Sequence, residues 1–115
     1  SETKVEFEAD EKALKTSLPM EKRHDFFLIF KEALANAARY AKASSVQVKV
    51  EHPPGYIRLT IRDDGRGFDP ASPPKAKGGN GLKNMENRAA KIGAELKIES
   101  AAGQGTCVIL ALPVP

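Results

Sequence analysis

The sequence predicts an α+β fold, a two-layer α/β sandwich with helices on one face of a mixed, mostly antiparallel sheet. Three observations predict it. Val46, Val48 and Val50 alternate with polar residues, as do Ile57, Leu59 and Ile61, and Pro53-Pro54-Gly55 joins the two runs as a hairpin. Two stretches, 21–41 and 81–92, repeat apolar residues at helical spacing. A final stretch, 106–112, is apolar on both parities, which puts it inside the sheet with both faces covered.

In chain order, residues 4–8 place Val5 and Phe7 between charges and predict a short strand. Residues 10–17 predict a weak helical turn, and Pro19 marks the entry to the long helix 21–41. Strands 44–51 and 56–62 follow. Residues 63–81, rich in glycine, proline and small polar side chains, form the one long irregular stretch, and long loops in compact domains usually carry function. The helix 81–92 sets Leu82, Met85, Ala89 and Ile92 on one face, with Gly93 as its stop. Strands 95–99 and 106–112 close the chain, joined around Gly103.

Composition narrows the classes. At 115 residues, 41% hydrophobic and 29% charged, the chain suits one domain, 1–115, with a core of its own. Its net charge of +3 comes from basic residues interleaved with acids, not clustered, so no nucleic-acid partner is indicated. Cys107 is the only cysteine, which excludes an internal disulfide and agrees with a reducing, cytoplasmic setting. No apolar run reaches membrane-spanning length. Ser1 is not a natural start, which predicts a piece of a longer protein, one whose upstream part could hold a membrane segment.

Four places carry polar groups where chemistry could use them. On the helix 21–41, at about 100° per residue, Phe26, Phe30, Ala33, Leu34, Ala37 and Ala41 share an apolar arc. Glu32, Asn36, Arg39 and Tyr40 line the arc beside it. Glu32 and Asn36 lie one turn apart, within reach of one metal ion or one water, and an amide oxygen suits Mg2+. Arg39 and Tyr40 can donate to phosphate oxygens. A solvated flank with a local ion pair at Arg39 would read the same way. Asp63 continues the parity of Ile57, Leu59 and Ile61, so its carboxylate leaves on the core side and needs a hydrogen-bonding partner there, such as a ligand amine. Asp64 has the opposite parity and suits a turn cap. Gly65 and Gly67 then permit close backbone approach, although a strand end followed by an Asp-Gly turn is equally compatible.

The run Lys77-Gly78-Gly79-Asn80-Gly81-Leu82 precedes a helix whose first amides could bind an anion. A flexible linker would look similar, and the spacing matches neither a P-loop nor a dinucleotide fingerprint. Gly103-Gln104-Gly105-Thr106 reads either as a hairpin turn or as a route for Thr106 to hydrogen-bond near Asp63 from a neighbouring strand.

Taken together and in order, Glu32 to Tyr40, Asp63 to Phe68, Gly79 to Leu82 and Gly105-Thr106 resemble the Bergerat-type ATP-binding fold of histidine kinases, type II topoisomerases, mismatch-repair ATPases and one chaperone family. The likeness spans about three quarters of the chain. Phe30-Lys-Glu-Ala-Leu-Ala-Asn36 and Gly81-Leu-Lys-Asn-Met-Glu-Asn-Arg88 look like the nitrate-sensor and thermosensor group of bacterial sensor histidine kinases. The resemblance implies a cytoplasmic catalytic and ATP-binding domain of a two-component system, taking ATP and Mg2+. It would serve a histidine-bearing dimerisation domain, with a response regulator downstream, and be a monomer in isolation.

By this resemblance Asn36 coordinates Mg2+, and Arg39 contacts phosphate. Tyr40 meets the nucleotide near its α-phosphate and sugar. Asp63 accepts from the adenine amine with Thr106 in support, and Gly65 and Gly67 let adenine pack on backbone. Gly79, Gly81 and Leu82 flank the lid over the phosphates, and Glu32 polarises the metal-bound water or the incoming nucleophile. Two departures stand out. Arg39 replaces the lysine of many relatives, a fork in place of a point charge, and the stretch between Phe68 and Gly79 is short. His24 and His52 both read as surface residues, and neither lies in the acidic helix where the family keeps its phosphoacceptor. An anti-sigma factor of the same superfamily, a serine kinase that doubles as a protein-binding switch, is the alternative, and a degenerate module that only presents a surface is a third reading.

Overall fold

A computed structural model of the protein describes residues 3–39, 41–69 and 81–115, with Arg39 through its main chain alone. The elements run β1 (Lys4–Ala9), α1 (Glu11–Leu14), α2 (Met20–Arg39), β2 (Ser45–Glu51), β3 (Tyr56–Asp63), α3 (Gly81–Lys91), β4 (Glu95–Ser100) and β5 (Thr106–Pro113). Asp10 starts α1 by accepting the Ala13 amide on its side chain at 2.6 Å, the usual role of a residue at a helix N-cap. Gly93, at φ 71°, ends the turn after α3.

The strands form one sheet in the order β1-β2-β3-β5-β4. β1 pairs parallel to β2, and the other three pairings are antiparallel. Register explains the core. Val48 faces Ile61, Ile61 faces Val108, and Val108 faces Ile98, so one apolar row crosses four strands on one side of the sheet. Val50, Leu59, Leu110 and Leu96 form the next row. Ile29, Ala33 and Ala37 from α2, with Met85 and Ala89 from α3, close over these rows. Met85 is fully buried, worth about 2 kcal/mol of transfer free energy.

The opposite side of the sheet carries the ion pairs Arg58–Glu51, Lys49–Glu51 and Lys97–Glu99. Cys107 and Ile109 of β5 also face that side, paired beside Arg62, Glu99, Thr60 and Lys97, whose stems flank them. β5 therefore needs apolar residues on both parities, being an interior strand, although β3 holds the central position. β1 is an edge. Its Val5 and Phe7 pair beside Val46 and Val48 on the helix side, yet they stay 49% and 64% exposed because the core cluster lies over the inner strands.

Candidate functional site

The first cluster lies where β3, β5 and β4 meet at one end of the sheet. Asp63, Thr106 and Ser100 sit opposite one another in register, so their side chains share a face. Asp63 closes the parity of Ile57, Leu59 and Ile61 and is only 9% exposed. Its Oδ1 accepts from the Gly65 amide at 2.8 Å and from the Thr106 amide at 3.3 Å, and Oδ2 takes part in neither bond. Burial pushes its pKa above the ordinary carboxylate value. The two amides pull the other way without cancelling it, and the neighbouring charge of Asp64 pushes further up.

Asp64, on the other parity, does not cap its own turn. Its Oδ1 takes the Ser44 and Ser45 amides, both at 2.9 Å, and its Oδ2 takes the Ser44 hydroxyl at 3.0 Å, which ties the loop to the start of β2. These bonds, that to the Ser45 amide first, hold its carboxyl below the usual range.

The glycines after Asp63 are required by the protein's own backbone. A Cβ at Gly65 would lie 2.5 Å from the Ala41 carbonyl oxygen, and Arg66 donates its amide to that same oxygen at 2.9 Å. Gly67 has φ 61°, and a Cβ there would overlap the Ala101 carbonyl and stand 2.8 Å from that of Gly105. Thr106 reaches Asp63 through its amide, while its hydroxyl contacts Ser100 Oγ at 2.8 Å. Ser100 is missing from the residues that sequence reasoning puts in the site, although the parity argument applied to Asp63 also reaches it: Leu96, Ile98 and Ser100 share a face in the same way.

The second cluster lies where α2 meets α3. Glu32 and Asn36 are half-buried on the flank of α2. A Cβ added to Gly81, the first residue of α3, would lie 2.9 Å from Glu32 Oε2 and 3.7 Å from Asn36 Nδ2. A side chain at this position would require the end of Glu32 to move aside. At the other end of α3, Arg88 donates to Asp25 Oδ1 at 3.2 Å, and Lys91 lies 3.4 Å from Oδ2. The two helices therefore run antiparallel, with Gly81 beside the late turns of α2 and Arg88 beside the first. Asp25 is 1% exposed. Burial alone would raise its pKa, but the bonds to Arg88 and Lys91 prevail and hold it below the ordinary value. A pocket of about 230 Å³ lined by Asp25, Asn84, Asn87, Arg88 and Lys91 lies along this seam. Its charged groups already pair with one another, so it joins helices and is not a second reaction centre.

The two clusters connect through the end of α2. Ala41, against which Gly65 packs, donates its amide to the Asn36 carbonyl at 3.0 Å. Among the residues expected in the site, Asp63, Gly65, Gly67 and Thr106 gather in the first cluster, and Glu32, Asn36 and Gly81 in the second. Leu82 is half-buried and packs against the hydrophobic core. The Arg39 side chain, Tyr40 and Gly79 lie outside the described residues, as does most of the stretch between Phe68 and Gly79. Among the described residues no three His, Cys, Asp or Glu converge on one point.

The fold thus places an inward carboxylate at one end of the sheet and sets the start of α3 against a Glu–Asn flank of α2. The chain belongs to the histidine kinase-, DNA gyrase B- and HSP90-like ATPase family, whose model matches residues 21–115. Within that family the proteins it is similar to are histidine kinases. It is 35% identical over 88 residues to the signal transduction histidine-protein kinase/phosphatase DegS of Brevibacillus brevis, covering 76% of this chain and 22% of that protein. Against the sensor histidine kinase YdfH of Bacillus subtilis it is 29% identical over 89 residues, with the same coverages of 76% and 22%. The chain thus spans about a fifth of the length of these relatives. Among solved structures, the histidine kinase domain of a blue-light activated histidine kinase from Erythrobacter litoralis superposes with a TM-score of 0.80 at 28% identity, over 96% of this chain and 51% of that one. The catalytic domain of histidine kinase ThkA, at 17% identity and a TM-score of 0.75 over 96% of this chain and 79% of that one, shares the fold.

Proposed function

We propose that this chain is a single ATPase domain, one piece of a longer sensor kinase, and that it works in the cytoplasm. It presents Mg-ATP to a histidine on a separate dimerisation domain, from which a response regulator takes the phosphoryl group. In the transfer, the bond from the γ-phosphorus to its bridging oxygen breaks as a phosphorus–nitrogen bond forms, and ADP leaves. The observation that carries this reading is Asp63: a buried carboxylate fixed by two amides on Oδ1, which leaves Oδ2 to accept from the adenine 6-amine.

The remaining roles follow the family resemblance. Gly65 and Gly67 hold the loop flat against Ala41 and the turn before β5, so the base meets a rigid wall. Arg39 and Tyr40 contact the phosphates and sugar. Gly79, Gly81 and Leu82 flank the phosphate side, with the start of α3 offering amides to an anion. Glu32 polarises the incoming nucleophile. Asn36 supplies a hard oxygen of the kind Mg2+ takes, for an ion that arrives with the phosphates and neutralises their charge. The relatives are histidine kinases, which favours this reading over an anti-sigma serine kinase.

Calorimetry with a non-hydrolysable ATP analogue tests it. Binding is expected in Mg2+, reduced about a hundredfold in Asp63→Asn, which places an amide donor against the adenine amine. In Asn36→Ala the gain in affinity from Mg2+ shrinks. Absence of any heat or thermal shift at millimolar nucleotide would sink the reading, and full affinity in Asp63→Asn would remove Asp63 from its place.

A further inference from the structure

β1 ends the sheet, so among the described residues no strand pairs with its outer edge. Its backbone settles which groups that edge offers. The Lys4 amide donates to the Ser44 carbonyl and the Asp10 amide to the Val50 carbonyl, both toward β2. Direction alternates along a strand, so the amides and carbonyls of Val5, Phe7 and Ala9 point outward. On the helix-facing side Val5 is 49% and Phe7 64% exposed, because α2 lies over β3 and α3 over β4. Asp25, Glu32 and Asn36 of α2 face α3, and Ile29, Ala33 and Ala37 face the core. At about 100° per residue, Phe30 and the exposed Phe27 then fall on the flank away from α3, toward β1. An apolar shelf therefore runs from α2 out to an unpaired backbone edge, the kind of edge that templates another strand.

We infer that this edge takes a second copy of the chain, β1 against β1, antiparallel about a two-fold axis through Glu6, so that two five-stranded sheets become one. The strand is complementary to its own reverse. Outward-bonding residues must pair with each other, and this register sets Val5 across from the partner's Phe7 twice, an aromatic and β-branched pair on the helix side. On the other face it sets Lys4 across from the partner's Glu8 twice. Glu6 meets the partner's Glu6 on the axis, and the Lys4 of each copy, 3.9 Å from its own Glu6, tempers that repulsion. Sliding the register one way sets Glu6 against the partner's Glu8, and sliding it the other way wastes Phe7 on the partner's Thr3. The axis stands normal to the sheet, so the helices of both copies stay on one side. Where the family resemblance implies a monomer in isolation, the exposed edge gives a weak dimer, and it does so whether or not nucleotide binds.

Sedimentation equilibrium of the 115-residue chain tests this. A strand-edge contact is small, so a monomer–dimer equilibrium with a dissociation constant on the order of 100 µM is expected. Phe7→Glu, at an exposed position outside the core, should leave the thermal midpoint unchanged and abolish the dimer. Lys4→Glu or Glu8→Lys alone should weaken it about tenfold, and the two together should restore it, because opposite charges again face each other. Glu6→Cys places two thiols across a non-hydrogen-bonded pair, about 4.5 Å apart at Cα, and should cross-link rapidly in oxidised glutathione. Glu8→Cys, facing the partner's Lys4, should not, and Cys107 is buried. A monomer across the whole concentration range, a dimer indifferent to Phe7→Glu, no rescue in the double swap, or cross-linking of Glu6→Cys no faster than of Glu8→Cys would each overturn the inference.

Discussion

At the scale of single residues, side-chain direction along a strand is arithmetic with a period of two. The inward turn of Asp63 is therefore legible from the sequence alone. What parity does not reveal is who answers the carboxylate. The amides of Gly65 and Thr106 do so, one from the following turn and one from a strand distant in sequence. The same limit applies to the glycines. Gly65 and Gly67 are recognisable as places of close approach, but the approaching groups, Ala41 and the 101–105 turn, come together only through tertiary packing. Gly67 adds a left-handed φ of 61° to that crowding. Gly67→Ala is therefore expected to destabilise the fold by about 2–4 kcal/mol, from the left-handed conformation and the overlap together. A thermal unfolding midpoint within about 2 °C of the parent would show that the loop can shift to make room.

At the scale of elements, the strands and α3 fall within a residue or two of where their patterns put them, because alternation and capping are local properties. The long helix departs from its pattern. Of its expected apolar arc, Phe26, Phe30, Ala33, Leu34, Ala37 and Ala41, Ala33 and Ala37 are fully covered, but Phe26, Phe30 and Leu34 pack only partly buried, and Asp25 and Ile29 complete the covered stripe instead. A helical wheel ranks side chains by polarity, so it puts an aspartate outside. α3 reverses that order by lying along the polar flank and supplying Arg88 and Lys91 to Asp25. This clamp holds one end of α3 while Gly81 sits against Glu32 at the other. Its pH dependence has a definite sign. Asp25 titrates below its ordinary value in the folded chain, so its contribution is present above about pH 4 and is lost as pH falls through the depressed folded value. Asp25→Asn should lower stability by about 1–3 kcal/mol at pH 7, and the difference should close in acid. Denaturant melts at several pH values measure this, and a constant gap down to pH 2 would mean that packing, not charge, makes the clamp.

At the scale of the whole molecule, the sheet order and the parallel partner of β1 are not legible in the sequence, because many pairings satisfy the same alternation and only packing of α2 across the sheet selects one. The bearing of that order on function is direct. Placing β5 between β3 and β4 sets Thr106 beside Asp63 on one side and Ser100 on the other, so the first cluster exists only because the last strand inserts there. The second cluster depends equally on α3 returning antiparallel along α2. On the proposed reading both hold and orient a nucleotide, and among the described residues neither brings a histidine to it: His24 is exposed near the start of α2, and His52 lies just past the end of β2, with its amide donated to Asp10. Incubated with Mg2+ and γ-labelled ATP, the chain alone should therefore acquire no phosphate. Adding a separate histidine-bearing dimerisation domain from a kinase of this group should give label on that domain, lost in acid and stable in base as a phosphorus–nitrogen bond requires. Acid-stable label on a serine of a partner protein would instead support the anti-sigma reading, and label on His24 or His52 of the isolated chain would overturn the division of labour between two domains.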